Sequence, residues 1–275
     1  MNKFATLSAV PGLFILFIFA AFSGVLLAEE DASWGLGVGV GLALNPHYPG
    51  SDQSDTLIAP FPYPEYYGEK VRLDTDGLAA NLFNSDRFNL DFSLNGSLPV
   101  SDEDNRVRRG MDDLELVLEV GPELEVTLIE WGNAEFRLDI PLRSAFEVTL
   151  DNAPRDAGFT LDPRFHFEQR LGQWEWDLDV GALYATERYH SLYYEVPLES
   201  VTAERAFFQA DSGLTGWRAS SSAERRWGDW IFFAYLRYLN FSGAANEDSP
   251  LLVENDYYAG GVALIWMFQA STKDD

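Results

Sequence analysis

The stretch Glu135–Leu150, EFRLDIPLRSAFEVTL, sets Phe136, Leu138, Ile140, Leu142, Phe146 and Val148 against Glu135, Arg137, Asp139, Arg143 and Glu147. Successive side chains of a β-strand point to opposite faces, so this period of two makes one face apolar and the other charged. The run is longer than the five or six residues of a typical soluble strand, whereas a strand tilted across a bilayer needs about nine to eleven.

Working outward, the same period recurs along the chain. Trp34 to Leu44 places Trp34, Leu36, Val38, Val40, Leu42 and Leu44 on one face and Gly35, Gly37, Gly39, Gly41 and Ala43 on the other. Phe88, Leu90, Phe92 and Leu94 alternate with Asn89, Asp91, Ser93 and Asn95; Leu114, Leu116, Leu118, Val120, Leu124, Val126 and Leu128 oppose Glu115, Glu119, Glu123 and Glu125; Trp174, Trp176, Leu178 and Val180 oppose Glu175, Asp177 and Asp179. A soluble sandwich also alternates, but strand length, tryptophans at strand ends and the connections favour a membrane. Tight polar turns at 67–69, 84–86, 131–133, 172–173 and 228–229 alternate with longer links at 45–55, 99–113, 151–157, 189–204 and 242–254. Outer-membrane barrels have short periplasmic turns, longer outer loops and an even strand number. Parity then requires that Lys70–Phe83 hold two short strands, turning at Thr75-Asp76-Gly77, or none that span. The fold expected is all-β: a transmembrane antiparallel up-and-down barrel of about twelve strands, with about ten as the alternative.

Composition agrees with this. Apolar residues make up 47% of the 275-residue chain, yet mean hydropathy is slightly negative, so apolar and polar residues are interleaved and not gathered into long spans. The absence of cysteine excludes disulfides, thiolate metal sites and a lipidated cysteine anchor. A net charge of -25 argues against nucleic acid as a partner. Lys3 followed by the apolar run Phe4–Leu27 reads as a signal peptide over residues 1–28, with cleavage after Ala28 or after Ser23, leaving 29–275 as the barrel. The final strand, 256–268, ends its apolar face in Trp266 and Phe268.

Several fragments resemble the MipA/OmpV family: Asn45-Pro46-His47-Tyr48-Pro49-Gly50-Ser51-Asp52, Asp74-Thr75-Asp76-Gly77-Leu78, the run Glu187–Tyr194, the run Gly213–Arg218, Gly228-Asp229-Trp230 and Asp248-Ser249-Pro250-Leu251, in the family's order. The resemblance covers Trp34 to Phe268. It implies an outer-membrane barrel, and in the best-described member a scaffold that bridges a lytic transglycosylase and a bifunctional penicillin-binding protein in peptidoglycan synthesis.

Catalytic constellations are weak. His190-Ser191 has no third polar group assigned by spacing and reads as loop packing; His47 near Asp52 and Asp55 reads as a shaped loop. His47, His166 and His190 fall on different segments, without metal-ligand spacing, so neither a metal nor another cofactor is expected. The informative polar residues are those of the inner faces: Glu115, Glu119, Arg137, Asp139, Arg143, Arg164, Glu175, Asp177, Asp179 and Arg237 are expected to line the lumen. Both signs are present, which suits a mostly filled, ion-paired interior or, as the alternative, a narrow pore for cations or small solutes. Outer-membrane lipid and lipopolysaccharide are the expected surroundings.

Overall fold

The computed structural model describes residues 32–68, 70–75, 77–149 and 152–271; the leader expected over 1–28 lies outside them. The strands are β1 (Ser33–Pro46), β2 (Ser54–Tyr67), β3 (Val71–Asp74), β4 (Gly77–Asn84), β5 (Phe88–Ser97), β6 (Leu116–Trp131), β7 (Ala134–Val148), β8 (Arg155–Leu161), β9 (Arg164–Leu171), β10 (Trp174–Ala185), β11 (Gly213–Trp227), β12 (Trp230–Asn240) and β13 (Asp256–Ser271). Each pairs antiparallel with its neighbours, and β13 returns to pair with β1. β8 and β9 both pair with β7 and with β10, so they are two halves of one strand. The break falls at Asp162-Pro163, where proline has no N–H to give the ladder. The result is a closed barrel of 12 antiparallel strands, and of the two arrangements parity allowed for Lys70–Phe83 it holds the two short strands, β3 and β4.

The wall is apolar outside. Val40, Val262, Leu264, Trp266 and Phe268 are all exposed, an arrangement that is stable only in an apolar surrounding. Phe136 stacks on Phe165 of the neighbouring strand at 5.6 Å between ring centroids, while Arg137 and Asp139 between these outward positions point inward and pair at 2.9 Å. The bare inner face of β1 has a simple cause: a side-chain carbon built on Gly39 would lie 2.6 Å from the Phe61 ring and 3.0 Å from Ile265. Glycine on β1 makes room for large side chains from β2 and β13, which with Tyr63, Ile231 and Met267 form an apolar cluster inside the barrel.

Among the described residues five ladders carry a bulge, at Leu36/Gly37, Asn81/Phe83, Thr127/Ile129, Ala145/Phe146 and Leu183/Tyr184. In the β6–β7 ladder Thr127 faces Arg137 but Ile129 faces Phe136, so Leu128 is an extra bulged residue and Ile129 turns outward. Tight turns close one end of the barrel, with positive φ at Gly172 (66°) and Gly228 (56°), a conformation glycine adopts without steric penalty.

The opposite end is closed by a lid. The long links, expected only as loops, pack together and include a helix, α1 (Glu187–Tyr194). Residues four apart share a helix face, so Tyr189 and Tyr193, and His190 and Tyr194, turn together into a buried cluster with Tyr48, Leu114, Phe241 and Leu252. No described helix is long and apolar enough to cross a membrane.

Candidate functional site

Inward-facing residues of adjacent strands meet at the register the ladder sets. His166 is opposite Asp179 on β10, and its Nδ1 lies 2.9 Å from Asp179 Oδ1 with Nε2 3.5 Å from Asp177. Arg164 reaches four carboxylates: Glu123, Asp162 at 3.3 Å, Asp139 at 3.6 Å and Asp179 at 3.5 Å. Arg143 donates to Glu123 and to Ser93 Oγ, both at 2.9 Å, and Arg218 pairs with Asp162. Arg137 and Asp139 join this set. Towards the tight turns, Arg170 bridges Glu168 and Glu175 at 2.8 and 2.9 Å, and Arg226 bridges Glu65 and Glu224. Charges withdrawn from water need partners of opposite sign; here each buried arginine of the cluster has at least one carboxylate.

This cluster lines a cavity of about 460 Å³. Arg137, Arg143, Arg164, Glu175, Asp177, Asp179 and Arg237 border it, and Asp139 is fully buried beside it. Glu119 lies nearer the lid, accepting from Thr160 at 2.7 Å and from Tyr189 of α1 at 3.0 Å. Glu115 precedes β6, next to Leu114, which bridges to Val100 in the lid, and it is not among the residues that border the cavity.

Sequence spacing did not bring His166 together with Asp177 and Asp179, because the proximity comes from pairing between strands. Donor atoms of Asp139, His166 and Asp179 lie within 4.8 Å of one another, as do those of His166, Glu168 and Asp177. The Arg164 guanidinium, however, already stands against Asp139 and Asp179 where a metal cation would sit, so the protein supplies this site with its own positive charge.

The lid is built from residues that sequence reading singled out piecemeal. Tyr48 donates to the Leu251 carbonyl at 2.7 Å, Tyr194 to the Pro49 carbonyl at 3.1 Å, and Ser249 to the Tyr194 carbonyl at 2.7 Å. Asn105, fully buried, donates to Ser51 and accepts from the backbone of Val107 and Arg108. Arg108 donates to the Tyr193 carbonyl and lies over the Tyr48 ring at 5.7 Å, and Arg205 donates to the Ser200, Val107 and Arg109 carbonyls. Burial lowers the Arg108 pKa, raises those of Tyr189 and Tyr194, and pushes Tyr193 up to about 12. His190 and Ser191 form no catalytic pair: Ser191 donates to the Glu187 carbonyl within α1, while His190 bonds to Thr215 and Asp211. Four of the resembling fragments thus meet in one packed unit. They contribute Tyr48 and Ser51, Tyr189 to Tyr194, Thr215, and Ser249 with Leu251.

No curated protein matches the chain. Among solved structures it is similar to a bacterial polysaccharide outer membrane secretin (10% identity, 88% of this chain and 100% of that chain, TM-score 0.43). It is also similar to the NanC porin (8%, 84% and 98%, 0.39) and to the translocator domain of the autotransporter NalP from Neisseria meningitidis (8%, 94% and 99%, 0.38). The family model described as MltA-interacting protein MipA matches residues 38–268. With the apolar outer wall and the closed antiparallel ladder, this match places the protein in the outer membrane, and the chain belongs to the MipA family.

Proposed function

We propose that this barrel is a structural scaffold of the outer membrane, holding a lytic transglycosylase, and with it a penicillin-binding protein, at the inner surface of that membrane. The observation that carries this reading is the state of the two ends and the middle. The outer mouth is packed shut by the lid, the interior is knitted by ion pairs centred on Arg164, and an apolar cluster of Tyr63, Ile231 and Ile265 fills part of the barrel. Such a body is rigid and suits holding better than conducting. The family name, MltA-interacting protein, supports the choice of partner.

The surface offered to the periplasm consists of the tight turns around Gly68, Ser85, Gly132, Gly172 and Gly228, together with the chain ends. Each turn is far smaller than a standard interface of about 1,200–2,000 Å². Binding is therefore weak per contact and gains strength from confinement of both partners to one membrane. We assign no catalytic residue.

A narrow cation or solute pore is the second reading, favoured by the polar cavity of about 460 Å³. Two variant sets separate the readings. Substituting the turn residues Asn84 to Asp86 and Trp131 to Asn133 should abolish capture of a lytic transglycosylase cross-linked to the barrel in intact outer membrane, and neutralising Glu175, Asp177 and Asp179 should leave capture intact. Turn variants that keep every partner, with carboxylate variants that change ion selectivity in a planar bilayer, would replace the scaffold with the pore.

A further inference from the structure

The ladder around the barrel is incomplete at one place. Among the described residues β3 pairs with β2 only at Tyr66 and Tyr67, leaving Ser54–Glu65 without a partner on that side. β4 pairs with β5 from Asn84↔Asn89 as far as Ala79↔Ser93, so Leu94–Ser97 of β5 are laddered to β6 alone. The tip of the β3–β4 hairpin does not continue the wall. Thr75 Oγ1 donates to Glu224 Oε2 of β11 at 2.5 Å, which carries the tip inward to the inner face of β11.

Three prolines, Pro60, Pro62 and Pro64, occupy alternate positions on the uncovered part of β2. Their direction follows from β1. The Trp34 N–H reaches Ser271 of β13, so even-numbered residues of β1 direct their N–H groups to β13 and the odd-numbered glycines direct theirs to β2. Gly35, Gly37, Gly39 and Gly41 are opposite Glu65, Tyr63, Phe61 and Ala59. The intervening prolines therefore direct their nitrogen and carbonyl away from β1, to the edge that β3 does not cover. That edge presents acceptors without donors at three successive positions, so another β-strand cannot be laddered onto it.

The gap is framed on all sides. Below it lies the β3–β4 hairpin. Above it the loop after β5 is tied to the loop before β2: Arg106 pairs with Asp52, the Arg106 N–H donates to Gln53 Oε1 at 2.6 Å, and Gln53 Nε2 donates to the Asp104 carbonyl at 3.2 Å. On the bilayer side Ile58, Phe92 and Leu94 are exposed. On the inner side Asp91, Ser93, Asn95 and Arg143 border the 460 Å³ cavity. Asp91 Oδ1 is buried without a hydrogen-bond partner there.

We propose that β2 and β5 frame a side window through which the polar head of a membrane phospholipid carrying a primary ammonium enters the interior, its acyl chains remaining in the bilayer. A row of carbonyls facing hydrocarbon is costly unless donors reach it, and the ammonium N–H groups are donors for the proline carbonyls and for Asp91 Oδ1. The phosphate of the same head meets arginine: Arg72 on β3, Arg143 on β7 and Arg237 on β12 all border the cavity. A head that carries both signs matches an interior that carries both. With the outer mouth shut by the lid, the window gives the cavity an approach from the bilayer that does not depend on the lid opening. This goes beyond the scaffold reading and does not rest on it.

The chain has no cysteine, so single-cysteine variants of the full protein report one position each. In vesicles of phosphatidylethanolamine and phosphatidylglycerol doped with a lipid whose headgroup bears a maleimide, Asn95→Cys beside the window should react about tenfold or more faster than Ser222→Cys, which borders the same cavity behind a continuous ladder. A water-soluble maleimide without acyl chains should modify the two within about threefold of each other, which separates a lipid head from a free solute. Where Asn95→Cys fails to reach the folded, heat-modifiable form, Ser93→Cys gives the reading under the same criterion. Equal rates with the lipid-borne reagent at window and far wall, or no reaction at the window, would overturn the proposal.

Discussion

His190 Nε2 accepts the Thr215 hydroxyl at 2.7 Å, joining α1 of the lid to the first turn of β11 across 25 residues of chain. Its Nδ1–H donates to the Asp211 carbonyl at 2.6 Å, so the ring serves as a neutral imidazole with one donor and one acceptor. Burial lowers its pKa below the ordinary value of 6.5, with the Asp211 carbonyl opposing the shift. Protonation therefore favours the opened lid. The contribution of His190 is fully present above pH 6.5 and is lost progressively as the pH falls below that value toward the depressed folded-state pKa. Limited proteolysis of 187–212 should accelerate between pH 7.5 and pH 5 in the native protein, and His190→Gln should flatten that dependence. Unchanged acid sensitivity in His190→Gln would assign the effect to another group.

Among the described residues Arg164 is the one cation shared by Glu123, Asp139, Asp162 and Asp179. Removing one side of a buried ion pair leaves uncompensated charge, so Arg164→Ala should destabilise the barrel by about 3–5 kcal/mol in a urea refolding titration. The exposed pair Arg188–Asp156 provides the contrast. Arg188→Ala should cost about 1 kcal/mol or less.

The outward set can be tested by charge. Val40, near the middle of β1, is 57% exposed on the apolar outer wall, so in an outer-membrane barrel Val40→Arg should cost about 2–4 kcal/mol. Leu138→Arg should act in the same direction. A depth-sensitive label that found position 137 in lipid would instead require a slip of one residue, which exchanges the two faces.

Gly181 lies against the β8–β9 break. A side-chain carbon built there would sit 2.3 Å from the Pro163 carbonyl oxygen and 2.8 Å from the Arg164 Cα, both backbone atoms. Gly181→Ala should therefore cost about 1–3 kcal/mol. Gly260→Ala, whose nearest neighbour would be 3.1 Å away, should cost less in the same titration.

Much of the wall was legible because a period of two survives in sequence wherever the two faces meet different media. Phe136, Leu138 and Ile140 against Arg137 and Asp139 is such a case, and the turn at Thr75 was one of the two arrangements parity allowed. The bulge at Leu128 was hidden, since Leu128 and Ile129 are both apolar and either could face lipid. The strand break at Asp162-Pro163 had a visible proline but no marker of where pairing resumes. The lid was the larger loss. Its contacts join side chains to carbonyls far away in sequence, as Tyr48 does to Leu251, and no period records them. The i,i+4 spacing of Tyr189 with Tyr193 and of His190 with Tyr194 was the one local trace of α1. Among interior residues, the meeting of His166 with Asp177 and Asp179 depended on strand register, which turn lengths constrain only after the strands are known.

The pairing of β13 with β1 joins residues up to 237 positions apart, Trp34 meeting Ser271. Every other ladder can form between neighbours as the chain emerges, but this seam cannot form until the last strand exists. Contacts so distant along the chain make assembly slow, and until the seam closes β1 presents a bare edge open to pairing with other chains. The barrel therefore has no closed form until Asp256–Ser271 pair with β1, and in lipid that one seam decides whether every edge is satisfied.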